Sequence, residues 1–120
     1  MSNESDIYNA LKNDSSLVAL LGNGVSSIYE GISPDSDNYP QVVFANISTV
    51  PAGTADDAEY LKRVSMQISI ITKDDEYDSI KALVDTDMHN LGYMFDSETS
   101  LYDADECTKV LRYVKQQEVI

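Results

Sequence analysis

Apolar and polar residues alternate most sharply at Val64-Ser65-Met66-Gln67-Ile68-Ser69-Ile70. A period of two predicts a strand with one face buried and the other wet or covered by a partner. Residues 41–50, QVVFANISTV, are rich in β-branched side chains and predict a second long strand. Pro40 suits the entry to it, where a missing N–H matters least. A helical period replaces the strand period at Tyr77, Ile80, Leu83, Val84, Met88 and Leu91. Asp74 or Asp75 is expected to open this helix, with acids in its first turn, and Gly92 to end it. Ile7, Tyr8 and Leu11, then Leu17, Val18, Leu20 and Leu21, predict two short N-terminal helices. Asp14 or Ser15 caps the second, and Gly22 is expected to stop it in the left-handed conformation. Residues 25–30 read as a short strand and residues 31–38 as a loop. Residues 93–97 and 109–117 read as two further strands, joined by an acidic connector over 98–106.

The order helix, helix, strands, helix, strands predicts an α+β domain. Its sheet is mainly antiparallel, with the N-terminal helices and one long helix packed on one face. No repeat, low-complexity tract or linker divides the chain, so residues 1–120 read as a single domain. The 120 residues are enough to bury roughly two-thirds of the surface that the unfolded chain exposes. Between the two long strands lie Pro51, Ala52, Gly53, Thr54, Ala55, Asp56, Asp57, Ala58 and Glu59. Consecutive antiparallel strands need only a few connecting residues. The surplus of small, polar and acidic residues predicts a mobile flap over 51–59, which we expect to serve as an interface.

Charge narrows the function classes. Asp and Glu number 21 against 8 Lys and Arg, a formal net charge of −13. Such a surface repels phosphate backbones and anionic membranes, which disfavours nucleic-acid reading and membrane docking. It also favours solubility. One cysteine, Cys107, excludes an intrachain disulfide and removes any need for an oxidising compartment. The opening MSNESDIYNALKN has neither the basic nor the apolar region of a signal peptide. Synthesis and folding in the cytosol follow as the expectation.

Candidate chemistry is sparse. His89 is the one histidine and falls on the polar side of the long helix, as a solvated side chain. Cys107 reads as a structural thiol. Acidic pairs occur at Asp56-Asp57, at Asp74-Asp75-Glu76, at Asp85 with Asp87, and at Asp103 with Asp105-Glu106. None has the alternating ligands, central Gly and distal Glu of a calcium loop. A divalent-metal enzyme using Asp103 or Asp105 is a further alternative. No glycine-rich phosphate loop, zinc spacing or Ser-His-Asp set is present, so the reading is non-catalytic, without cofactor or metal. Eight tyrosines, with a large ring and a polar tip, suit protein interfaces.

Several segments, in their order along the chain, resemble one family. They are Ile7-Tyr8-Asn9-Ala10-Leu11; residues 17–22, LVALLG; Ile28-Tyr29-Glu30-Gly31; Tyr39-Pro40-Gln41-Val42-Val43-Phe44; the strand over 64–72; the helix over 77–91; and the terminal strands. Together they resemble the tail terminator, or tail-to-head joining (tail completion), proteins of long-tailed phages and prophages. The resemblance implies a structural protein that caps the tail tube, stops its growth and joins the tail to the head connector. It implies a ring of this chain, usually of six subunits, with a monomer as the alternative state in isolation. The implied partners are the tail tube protein and a head connector or stopper protein, and DNA passes through without specific binding. The implied location is the virion, at the head–tail interface, after assembly in the bacterial cytoplasm. The acids suit either the channel wall or the outer rim. Alternative roles are a head-side connector or stopper, and an acidic DNA-mimic inhibitor of a nucleic-acid-binding protein.

Overall fold

The computed structural model describes residues 3–22, 24–31, 39–55, 58–73, 78–103 and 106–118. Its elements run α1 (Asn3–Lys12), α2 (Ser15–Leu20), a 3-10 turn (Gly24–Ser27), β1 (Ile28–Glu30), β2 (Gln41–Ala55), β3 (Ala58–Thr72), α3 (Asp78–Asn90), β4 (Met94–Asp103) and β5 (Glu106–Glu118). The strands form one sheet in the order β1-β2-β3-β5-β4. Only the short β1–β2 pair is parallel. The other three pairings are antiparallel, as the α+β reading expects.

The period-two pattern sets the layering. Val64, Met66, Ile68 and Ile70 of β3 are fully buried, whereas Ser65, Gln67 and Ser69 are half-buried. Register puts Val42 and Phe44 of β2 beside Ile70 and Ile68. On the other side Leu111 and Tyr113 of β5 stand beside Ile68 and Met66. Ile7 and Leu11 of α1, Leu17 of α2, and Ile80, Val84 and Met88 of α3 complete this one core. All three helices therefore sit on a single face of the sheet.

Local chemistry explains the helix ends. Asp14 caps α2 by accepting a bond from the Leu17 N–H at 3.2 Å. Gly92, at φ 94°, ends α3 as expected. Its N–H donates to the His89 carbonyl, and the Tyr93 N–H donates to that of Met88, which satisfies two carbonyls left over by the helix. The expected opening of α3 at Asp74 or Asp75 lies outside the described residues.

Three expectations are corrected. Gly22 does not take the left-handed conformation. The chain leaves α2 extended at Leu21, and the Gly22 N–H donates to the Pro40 carbonyl at 3.0 Å, tying the helix end to the entry of β2. The left-handed residue is Gly24, at φ 60°. Residues 25–30 are not all strand, because a 3-10 turn takes the first half and pairing begins at Ile28. The acidic connector over 98–106 is mostly the two arms of the β4–β5 hairpin. As an edge strand exposed on both faces, β4 needs no clean alternation.

The excess length between β2 and β3 is likewise taken up as strand. Pairing continues through Pro51 with Lys62, Gly53 with Leu61, Thr54 with Glu59 and Ala55 with Ala58, with register shifts on the way. β5 accompanies β3 only as far as Leu61. Beyond that point the β2–β3 hairpin runs as two strands among the described residues. A strand of this length reaches about 50 Å, which matches the long dimension of a molecule measuring 52 × 28 × 24 Å.

Core packing generates one test. Leu111→Ala should lower the unfolding free energy by about 2–5 kcal/mol in urea titration, through lost burial and the cavity left behind. Ser65→Ala, on the opposite face, should stay within about 0.5 kcal/mol of the parent.

Candidate assembly surfaces

The alternation that buries one face of the sheet leaves the other without a helix among the described residues. Ser65, Gln67, Ser69 and Ile71 of β3 occupy this open face. Val43 and Ala45 flank them on one side and Thr108, Val110, Arg112 and Val114 on the other. Both arginines of the chain, Arg63 and Arg112, stand here, on adjacent strands. One end of the face sinks into an open hollow of about 610 Å³, lined by Arg63, Met94, Asp96 and Lys115 among others. The Lys115 ammonium lies 5.2 Å from the centre of the Tyr93 ring. Desolvation pushes the Tyr93 hydroxyl up to about 12, with smaller contributions from Glu4 and Asp6.

β4 is one edge strand of the sheet, and the short β1 is the other. Six large hydrophobic side chains are exposed among the described residues, and four of them are Met94 at 67%, Phe95 at 49%, Leu101 at 56% and Tyr102 at 72%. Register through β5 sends Met94 and Leu101 to the open face, and Phe95 and Tyr102 to the helix face. Phe95 packs edge-on against Tyr113 with ring centres 5.8 Å apart. The Tyr113 hydroxyl donates to Asp85 of α3 at 2.9 Å. Burial first, and then that bond, raise its pKa far above the usual tyrosine value. A polar strip runs between the apolar ends. Glu98 pairs with Lys81, and the largely buried Lys109 donates to Ser100 and lies 3.8 Å from Glu98.

The residues singled out from sequence scatter across the fold. Pro51, Ala52, Gly53, Thr54, Ala55, Ala58 and Glu59 form the distal β2–β3 arms, and Asp56 and Asp57 lie outside the described residues. His89 is exposed in the last turn of α3, and Cys107 is buried in β5. Asp85 and Asp87 do not converge, since Asp85 accepts from Tyr113 while Asp87 faces Asp14. Among the described residues no three His, Cys, Asp or Glu side chains are grouped to hold a metal ion. The Asp56-Asp57 and Asp74-Asp75-Glu76 pairs, and Asp105, lie outside them.

Two features escaped the sequence reading. One is the two-sided apolar edge, whose signal was present as the adjacent pairs Met94-Phe95 and Leu101-Tyr102. In a strand, neighbours point to opposite faces, so each pair must expose one member unless both faces are covered. The other is the contact of Asp87 with Asp14, 73 positions apart along the chain. Asp87 Oδ2 is buried and finds no donor. Two carboxylates face each other at low cost only when one holds a proton. Burial first, then the bond to Asp14 and its charge, raise the Asp87 pKa to about 7.

That shift has a defined sign. The folded chain holds the Asp87 proton more tightly than the unfolded chain, whose carboxyl titrates near 3.8. The resulting stabilisation is full in acid and is lost as pH rises through about 7. Asp87→Asn mimics the protonated form. It should raise the melting temperature relative to the parent at pH values above 7, with the gain vanishing toward pH 4 in paired thermal scans.

The family described as Tail completion protein gp17 matches residues 5–114. No curated protein matches the chain at a significant level. Among solved structures, a chain of the one described as "Virion of native gene transfer agent (GTA) particle" superposes with a TM-score of 0.69 at 17% identity, over 98% of this chain and 95% of that one. At that identity the likeness speaks for the fold. The family match spans nearly the whole sequence, and the chain belongs to the tail completion protein gp17 family, the structural proteins of phage tail assembly located in the virion tail.

Proposed function

We propose that this chain forms a ring on the end of the tail tube, stops tube growth and offers the surface on which the head connector docks. Its partners are copies of itself, the tail tube protein and a head connector or stopper, and it works without catalysis. The observation that carries this reading is the unequal distribution of uncovered surface. Among the described residues the protein has an apolar edge at β4, an open sheet face bearing both arginines, and a hairpin that outruns its neighbours. A ring requires a head-to-tail contact in which one patch meets a different patch on the next subunit. Three dissimilar surfaces supply such a pair with one to spare for tube or connector. Six subunits is the expected number.

The net charge of −13 suits a ring through which DNA slides, because a like-charged wall gives the duplex no foothold. The gene transfer agent chain is itself part of a virion particle, in keeping with an assembled role here. The distal hairpin arms, residues 51–55 and 58–59, serve as the docking element in this reading.

Two measurements test the proposal. Tails assembled without this protein should appear overlong or unable to join heads by electron microscopy, and tails of normal length that join heads would overturn it. Deleting residues 54–57 should leave circular dichroism and melting close to the parent while impairing head joining. Unchanged joining would remove the hairpin from the interface.

A further inference from the structure

We infer that two free copies of this chain pair through β4, antiparallel and about a two-fold axis at Thr99, giving a dimer that covers the apolar edge before assembly. The inference does not rest on the ring reading. A two-fold contact uses the same patch on both copies, so it cannot propagate around a ring on a tube whose ends differ. It describes the protein before it joins the tail.

The starting point is the edge at β4. A regular strand with unpaired N–H and C=O groups and exposed apolar side chains is a template for another strand. The outer edge of β2 is a poorer template. Register shifts interrupt its ladder between Asn46 and Ser48 and again beyond Pro51, and Pro51 brings no N–H. β4 carries one shift, between Phe95 and Ser97, and is regular from Ser97 onward. The shift makes Asp96 the extra residue. Phe95 therefore shares the helix face with Glu98, Ser100 and Tyr102.

Self-pairing is restricted by geometry. An antiparallel two-fold pair keeps each face of the sheet on its own side, so residues that meet must share a face, and one residue must meet itself. Near the middle of β4 there are three choices. Centring on Glu98 sets two carboxylates directly opposite each other, which is unfavourable. Centring on Ser100 brings together the two Lys109 ammonium groups that bond Ser100. Centring on Thr99 avoids both conflicts. Glu98 then meets Ser100 of the other copy, beside its Lys109, an opposite charge. Ser97 meets Leu101. With Asp96 taken up by the bulge, Phe95 meets Tyr102 on the helix face, and the symmetry makes that aromatic pair twice. Cross-strand aromatic pairs are among the stronger contributors to sheet pairing. Phe95, Leu101 and Tyr102, three of the four exposed apolar residues of β4, are thus covered by one register.

The test uses the full chain. By sedimentation at micromolar concentration the parent should have twice the 13.3 kDa chain mass and should dissociate on dilution. The double variant Leu101→Lys, Tyr102→Lys should sediment at the single-chain mass with an unchanged circular dichroism spectrum. Cysteine scanning reads the register. At the axis two Thr99 Cα atoms are about 4.5–5.5 Å apart, within the range of about 4.4–6.8 Å that a disulfide spans. Two Leu101 positions are displaced by roughly 14 Å along the ladder. Thr99→Cys should therefore link into a covalent dimer under mild oxidation, whereas Leu101→Cys and the parent, with its buried Cys107, should not. A parent that sediments as a single chain or as a larger ring overturns the inference. So does linkage of Leu101→Cys as fast as Thr99→Cys, or preferential linkage of Thr99→Cys to an Ile47→Cys copy, which would mark head-to-tail pairing with β2.

Discussion

The fold hangs on the inward row of the middle strand. β3 has a strand on each side, and Val64, Met66, Ile68 and Ile70 are the residues on which the helix layer and both flanking strands converge. Each of these side chains removes apolar area from water on behalf of more than one element. Their mutual burial is therefore what makes the sheet and the helices a single cooperative unit. The same alternation that builds this row puts Ser65, Gln67 and Ser69 on the other side. The core and the bare sheet face are two results of one pattern.

Much of this was legible in residue order. Period two over 64–70, the helical stripe from Ile80 to Leu91, the cap at Asp14 and the stop at Gly92 are all local signals. Each acts within a few residues of where it is written. The edge strand was harder to read, because Thr99, Ser100 and Glu98 give no alternation when neither face of a strand is sealed. The long hairpin was read as a connector for a related reason. Backbone pairing holds Pro51 against Lys62 and Thr54 against Glu59 with no periodic pattern to announce it. What no local signal encodes is proximity at a distance, such as Asp14 against Asp87 or Tyr39 bonding Glu106 across 67 positions at 2.6 Å.

Charge is abundant, and the few cations have distinct places. Acids are found on α1, α3 and β4, and β3 and β5 carry both arginines along with Glu59, Glu106 and Glu118. The lysines Lys81 and Lys109 are spent on Glu98 and Ser100 at the β4 border. Net charge keeps such a molecule dispersed.

The long hairpin has a mechanical corollary. It is an extension of β2 and β3, and β3 is the strand at the centre of the sheet. A pull on its tip is delivered along the strand axis into the middle of the sheet, where the ladders to β2 and β5 share the load in shear. Detaching it would require many backbone bonds to fail together. An arm rooted this way passes tension straight to the most deeply anchored part of the molecule.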